Sequence, residues 1–172
     1  NGAIDSLGRG YVAYTFADRG EGRRAYEALK SGFPSATFPD ISTANPNQMS
    51  EFIVGPDHPQ FGKNMYDIFN PAISWIKLAI ERMVGVIPVY EGLLISPSVS
   101  PEWEEFSLRK AYRGRTLSFR FHNPGKKEKG VQKVTVNGAA LTAAADGRFI
   151  IDGESLKGGN AAKPVYVDVL MG

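Results

Sequence analysis

The sequence predicts a mixed α and β chain, helical over residues 1–85 and an antiparallel β-sandwich over residues 86–172. The hydrophobic period changes in mid-course, at Gly85-Val86-Ile87-Pro88-Val89-Tyr90-Glu91-Gly92-Leu93-Leu94-Ile95-Ser96-Pro97. Before this stretch apolar residues recur at helical spacing, and after it they alternate. Turn-forming pairs, among them Asn137-Gly138, Asp146-Gly147 and Asp152-Gly153, then divide the second half into short strands.

The elements follow in order. Residues 8–19 carry Tyr11, Val12, Tyr14, Thr15 and Phe16, a run that predicts a short buried helix. Gly20-Glu21-Gly22 interrupts it. From Arg23, Ala25, Ala28 and Leu29 oppose Arg24, Glu27 and Lys30, an amphipathic helix expected to stop at a glycine cap near Gly32, with Pro34 beyond. The pair reads as an αα-hairpin. Residues 33–69 hold Pro34, Pro39, Pro46, Pro56 and Pro59, too long for an ordinary connection and of the kind that covers a site. Asn70-Pro71 supplies an N-cap and a first-turn proline, so residues 71–84 read as a helix burying Ile73, Ile76, Ala79, Ile80 and Met83, ended by Gly85. Half-buried antiparallel strands are expected at 93–96, 106–112, 117–121, 134–136 and 165–169. The cluster Lys126-Lys127-Glu128-Lys129 reads as a solvated hairpin tip.

Composition excludes several classes. A formal charge of +2 with interspersed signs offers no basic stripe for nucleic acid. No apolar run approaches the roughly 20 residues that span a bilayer, so no membrane association is expected. The absence of Cys and the presence of only two histidines, His58 and His122, leave no expected metal or cofactor site. A Cys-free chain selects no compartment. Three helices and a small sandwich cannot cover their own apolar faces, so exposed apolar surface is expected around Tyr11, Tyr14 and Ile76, or else a partner over it. The chain opens at Asn1 without Met, and the sequence is expected to be a piece of a longer protein.

Candidate chemistry centres on carboxylates. Paired carboxyl groups are common equipment for general acid and general base or nucleophilic work. Asp5, Asp40, Glu51, Asp57 and Asp67 lie in the irregular region, where Asp40 and Asp57 read as turn residues and Asp5 and Asp67 as caps or pocket lining. Ser107-Leu108-Arg109-Lys110 has the Ser-x-x-Lys spacing but falls in a strand. Trp75, Trp103, Tyr66 and Phe69 offer aromatic faces on which a ligand ring could stack, with core packing the simpler role for Trp75.

The junction resembles the G-V-x-P-x-Y-x-G-L-x-I-x-P segment of family 94 glycoside phosphorylases, the cellobiose and chitobiose phosphorylase group, and Pro101-Glu102-Trp103 after it stands near that family's P-x-x-W with one residue fewer between Pro and Trp. Residues 52–59, with Phe61-Gly62, are similar to that family's M-I-x-G-x-D-H-P-x-x-G segment. Arg113-Gly114, Asn123-Pro124, Lys129-Gly130-Val131 and Val136-Asn137-Gly138 continue the ordered series. The resemblance implies that residues 1–85 are the last helices and pocket loops of an (α/α)6 toroid, whose general acid lies upstream, and that residues 86–172 are the C-terminal β-sandwich. It departs from the family at Leu7, where a phosphate-binding His would stand, at Ala72, where a Thr would, and at Asn45-Pro46-Asn47, where the family has Glu-Pro-Tyr.

The implied function is that of the C-terminal portion of a carbohydrate-active enzyme acting on β-linked di- or oligosaccharides, inactive alone and partnered by the rest of the catalytic domain or another chain. No residue of this chain inherits a catalytic role. Arg9, Asn45, Gln48, Asp67 and Asn70 are the expected substrate-binding residues. The alternatives are a hydrolase of the same superfamily and a non-catalytic carbohydrate-binding or scaffolding module, which coplanar aromatic residues on the sandwich face would favour.

Overall fold

The computed structural model describes residues 4–31, 33, 52–63, 72–156 and 163–172. A two-residue strand, β1 (Ile4–Asp5), leads into helix α1 (Ser6–Arg19). The helix ends where Glu21 N–H donates to Phe16 O at 2.9 Å and Gly20 N–H to Ala17 O at 3.0 Å. This Schellman ending requires a left-handed residue, and Gly20 supplies it at φ +81°. Helix α2 (Gly22–Lys30) folds back on α1, as the αα-hairpin reading expected. Its C-cap is Ser31 in right-handed conformation, and the expected cap Gly32 lies outside the described residues. Strand β2 (Phe52–Ile53) pairs with β1. Helix α3 (Ala72–Val84) ends at Gly85, φ +72°, whose N–H donates to Glu81 O at 3.0 Å.

The helices share one buried cluster of Ala13, Ala17, Ala25, Leu29, Ala79 and Met83. Four of these six are alanine, and short side chains let helix axes approach closely at their crossings. Two expectations change here. Ile80 is 44% exposed rather than buried, and α1 is not a buried helix, because Tyr11 and Val12 remain 54% and 43% exposed. Leu78 adds to the same exposed apolar set, while Tyr14 and Ile76 are half-buried against the cluster. A helical stripe read from sequence identifies a face, and only the angle of packing decides which edge of that face is covered.

Beyond Gly85 every described element is a strand. β3 (Val86–Pro88), β4 (Gly92–Ile95) and β9 (Phe149–Asp152) form a three-stranded antiparallel sheet in the order β3-β4-β9. β5 (Glu105–Tyr112), β6 (Arg115–His122), β7 (Lys133–Val136), β8 (Ala139–Ala140) and β10 (Val165–Leu170) form a second sheet in the order β5-β6-β10-β7-β8. Val86, Leu93, Ile95 and Ile151 from the first sheet share a cluster with Leu117, Phe119, Phe121, Val134, Val165, Val167 and Val169 from the second. Two sheets around one core make an arrangement compatible with a β-sandwich.

The all-antiparallel expectation needs correction. β10 runs parallel to β6, from Val165 opposite Leu117 to Leu170 opposite His122, and antiparallel to β7. Alternating burial is the same in parallel and antiparallel strands, so the sequence pattern carries no strand direction. The hairpins do follow the turn chemistry. Asn137 and Gly138 have φ +50° and +84° between β7 and β8, and Arg113 and Gly114 have φ +48° and +75° between β5 and β6, as tight primed turns require.

The Lys126–Lys129 cluster is the second correction. Its Lys residues are exposed, but Glu128 Oε2 accepts the Arg23 N–H at 3.0 Å, next to the start of α2, and Val99 N–H donates to Glu128 O at 2.9 Å. Lys129 pairs with Ser98 and lies against Gly20. Gly22 sits so close to Val99 that a methyl group on it would lie 2.1 Å from the Val99 carbonyl oxygen. The run therefore fastens the helical hairpin to the sandwich, because a carboxylate near a helix start takes up an otherwise orphaned amide.

Candidate functional site

The helix directions define one end of the bundle. Gly10 of α1 lies against Trp75 of α3, and Asp18 near the other end of α1 pairs with Arg82 of α3 at 2.8 Å. The two helices are therefore parallel. Arg9 of α1 hydrogen-bonds Ser31 beyond α2, whereas Arg24 of α2 lies 4.1 Å over the ring of Phe16, so α2 is antiparallel to both. The N-terminal ends of α1 and α3 thus meet the C-terminal end of α2. Both helix starts contribute partial positive charge there.

Pairing of β1 with β2, Ile4 opposite Ile53 and Asp5 opposite Phe52, brings the loop 54–63 to this same end. Gly62 N–H donates to Val54 O and Val54 N–H to Lys63 O, both at 3.0 Å, closing the loop at its base. Asp57 and His58 sit on its exposed turn, in keeping with their reading as turn and loop residues. His58 Nδ1 accepts the Gln60 N–H at 3.1 Å, so any proton on the neutral ring resides on Nε2.

Arg9 is the one expected binding residue that falls among the described residues. It is half-buried, and its Nη1 donates to Ser31 Oγ, which in turn donates to Ala28 O at 2.9 Å. Burial pushes the guanidinium pKa below its ordinary value, although an arginine retains its charge throughout the working range. The arrangement holds a cation with spare N–H donors beside two helix N-termini, suited to a sugar hydroxyl or an oxyanion. Asn45, Gln48, Asp67 and Asn70 lie outside the described residues, as do Asp40, Glu51, Tyr66 and Phe69.

The aromatic candidates divide. Trp75 packs edge-on to Tyr11 and Tyr14, with ring centroids 4.8 and 6.2 Å away, in keeping with its packing role. Trp103 lies edge-on between Tyr26 of α2 at 5.4 Å and Phe106 of β5 at 5.7 Å. Its ring bridges helices and sandwich and is engaged on both sides. Ser107 and Lys110 lie on β5 with opposite exposure, and Lys110 Nζ is 3.8 Å from Glu81 Oε1, so the Ser-x-x-Lys spacing joins no chemistry. His122 Nδ1 is 3.3 Å from Glu105 Oε1 at the sheet edge.

Sequence reasoning missed Asn123 as more than a turn residue. It is fully buried; its Nδ2 donates to Trp103 O at 3.3 Å and Lys127 O at 2.9 Å, and its Oδ1 accepts Lys127 N–H at 2.8 Å. The Asn-Pro-Gly signal marked the turn, but nothing local marks a side chain that reaches a segment 20 residues away. Among the described residues no group of three His, Asp or Glu is placed to hold a metal ion, and no helix is long and apolar enough to cross a membrane.

No family model matches the sequence. Curated relatives do. N,N'-diacetylchitobiose phosphorylase of Vibrio furnissii is 31% identical over 146 residues, covering 83% of this chain and 18% of that protein. The 3-O-beta-D-glucopyranosyl-beta-D-glucuronide phosphorylase of Paenibacillus borealis is 28% identical over 153 residues, 84% of this chain and 19% of that protein. Solabiose phosphorylase of the same organism is 28% identical over 125 residues, 71% and 16% respectively. The chain spans less than a fifth of the length of these relatives. These matches bear out the resemblance read from the sequence: the chain is similar to the C-terminal region of glycoside hydrolase family 94 proteins, the cellobiose and chitobiose phosphorylase-like group.

Proposed function

We propose that this chain forms the terminal helices and the β-sandwich of a glycoside phosphorylase-like enzyme acting on β-linked di- or oligosaccharides, and that it is inactive alone. The observation that carries this reading is similarity to a disaccharide phosphorylase over 153 residues, more than either the helical or the sandwich half could account for. The division at residues 85 and 86 belongs to the same proposal. The exposed Tyr11, Val12, Leu78 and Ile80 support it, since neighbouring helices of a toroid would cover such a surface. Arg9, with Asn45, Gln48, Asp67 and Asn70, is proposed to line the sugar-facing end.

Hydrolysis by the whole enzyme is the second reading, favoured by Leu7 and Ala72. These residues occupy the starts of the parallel helices α1 and α3, where the resemblance places two phosphate ligands. The coplanar set of exposed aromatic residues that would favour a free-standing module is not found on the described outer face of the larger sheet, where Tyr166 is the one exposed aromatic residue; a single ring is compatible with an accessory site on a larger enzyme.

The test is an assay of the purified chain on β-linked glucosyl and N-acetylglucosaminyl disaccharides, with and without inorganic phosphate. No turnover is expected, since a leaving alkoxide without a proton donor is unstabilised. Turnover abolished by Asp5→Asn or Asp67→Asn would make this chain a compact enzyme and overturn the proposal.

A further inference from the structure

The outer face of the larger sheet carries a groove of about 620 Å³, within the usual size of ligand sites. It is lined by the exposed Ser107 and Arg109 of β5, the half-buried Ser118 and exposed Arg120 of β6, and the exposed Tyr166 and Asp168 of β10. Strand register sets their order. Arg109 and Tyr166 flank Ser118 on opposite sides, while Ser107 and Asp168 flank Arg120. The groove is thus two adjacent rows of three residues. Arg109 and Arg120 are diagonal neighbours, a separation of about 7–8 Å that long side chains bridge.

Tyr166 is 59% exposed, so its ring is available for stacking. Neither arginine, nor Asp168, makes a side-chain hydrogen bond or ion pair with another described residue, although Asp168 and Arg120 are direct cross-strand partners. Some other charges in this half are paired, among them Arg113 with Glu154 at 2.9 Å and Arg148 with Asp146 at 2.6 Å. An aromatic platform, two uncommitted guanidinium forks and a set of hydroxyl and carboxylate acceptors therefore share one groove.

We propose that this groove binds an acidic pyranose unit of a glycan, a site separate from the pocket end of the helices and independent of the catalytic reading above. The sugar ring stacks on Tyr166, its hydroxyls donate to Asp168 and exchange hydrogen bonds with Ser107 and Ser118, and its carboxylate lies between Arg109 and Arg120. The excess of positive charge among the lining residues favours a uronic acid over a neutral sugar, because a guanidinium meets a carboxylate in a paired, charge-assisted geometry.

The test is an NMR titration of the ¹⁵N-labelled 172-residue chain with a galacturonate oligosaccharide, a neutral gluco-oligosaccharide and inorganic polyphosphate. Saturable shifts confined to β5, β6 and β10 are expected with the galacturonate oligomer, with roughly tenfold weaker binding of the neutral one. Tyr166→Ala and the double change Arg109→Gln with Arg120→Gln should each weaken binding by about tenfold or more, while Tyr166→Phe retains it. All are surface changes, and unchanged melting temperatures would establish that the variants fold. Absence of saturable shifts, shifts elsewhere in the chain, equal affinity for the neutral oligomer, or binding of polyphosphate that matches the sugar and ignores Tyr166→Ala would each overturn the proposal.

Discussion

Replacing Asn123 with alanine removes three hydrogen bonds from a residue that is fully buried between β6 and the segment leading to β7. Lys127 is exposed at its side chain, so water can re-satisfy part of its freed main chain, at a net loss of about 1 kcal/mol per bond. The Trp103 carbonyl belongs to a half-buried residue, and leaving it dry adds roughly 1–3 kcal/mol. The sum is about 3–5 kcal/mol. For a chain of this size each kcal/mol shifts the melting temperature by about 2–4 °C, so Asn123→Ala should melt roughly 6–20 °C lower by circular dichroism or calorimetry. Asn123→Asp sharpens the test. It retains one acceptor but places a carboxylate against two carbonyl oxygens, which raises that carboxyl's folded-state pKa above its unfolded value. The charged form is then the penalised one, so the variant's deficit is full above the raised pKa and shrinks as pH falls toward the unfolded value. An Asn123→Ala protein melting within about 2 °C of the parent would refute the claim that this residue holds the corner.

Two further outcomes follow from the same geometry. Gly22→Ala should destabilise by about 2–3 kcal/mol, because the added methyl overlaps the Val99 main chain, whereas Gly125→Ala, which meets only the Lys127 side chain at 3.6 Å, should change stability little; urea denaturation of the two variants side by side distinguishes them, and equal midpoints would contradict the close approach of α2 to the sandwich. The Glu104 carboxyl is held below its ordinary pKa by a hydrogen bond from Lys126 and then by that residue's charge, so its stabilising contribution is present above the unfolded carboxyl pKa and is lost as pH falls through the depressed folded value; Lys126→Gln should bring its titration, followed by side-chain carboxyl NMR, back toward the ordinary value.

Much of the architecture was determined locally and was therefore legible in the sequence. Gly20 and Gly85 end helices because the chain there needs a left-handed residue, and Asn137-Gly138 closes a hairpin for the same reason. Leu117, Phe119 and Phe121 alternate with polar neighbours and are buried as that alternation requires. Even β9, passed over in the sequence, is bounded by Asp146-Gly147 and Asp152-Gly153 and so had its signal in plain view. Of the residues at the shared end of the helices, the sequence offered Arg9 as a binding residue, from its place in a pocket-forming segment, and the loop with Asp57 and His58, from the resemblance.

What only the tertiary structure decided depends on groups distant in sequence. The parallel pairing of β10 with β6 is set by the path of the intervening chain, to which side-chain alternation is blind. Glu128 serves Arg23 across 105 positions, and Trp103 joins α2 to β5, so residues that read as a solvated tip and a sugar platform became the fastening between the two halves. Likewise the meeting of Tyr166, Arg109 and Arg120 on one sheet face follows from register, since three strands must be aligned before their outward residues have any common neighbour. Local pattern determines which face a residue takes; only the packed chain determines what it faces.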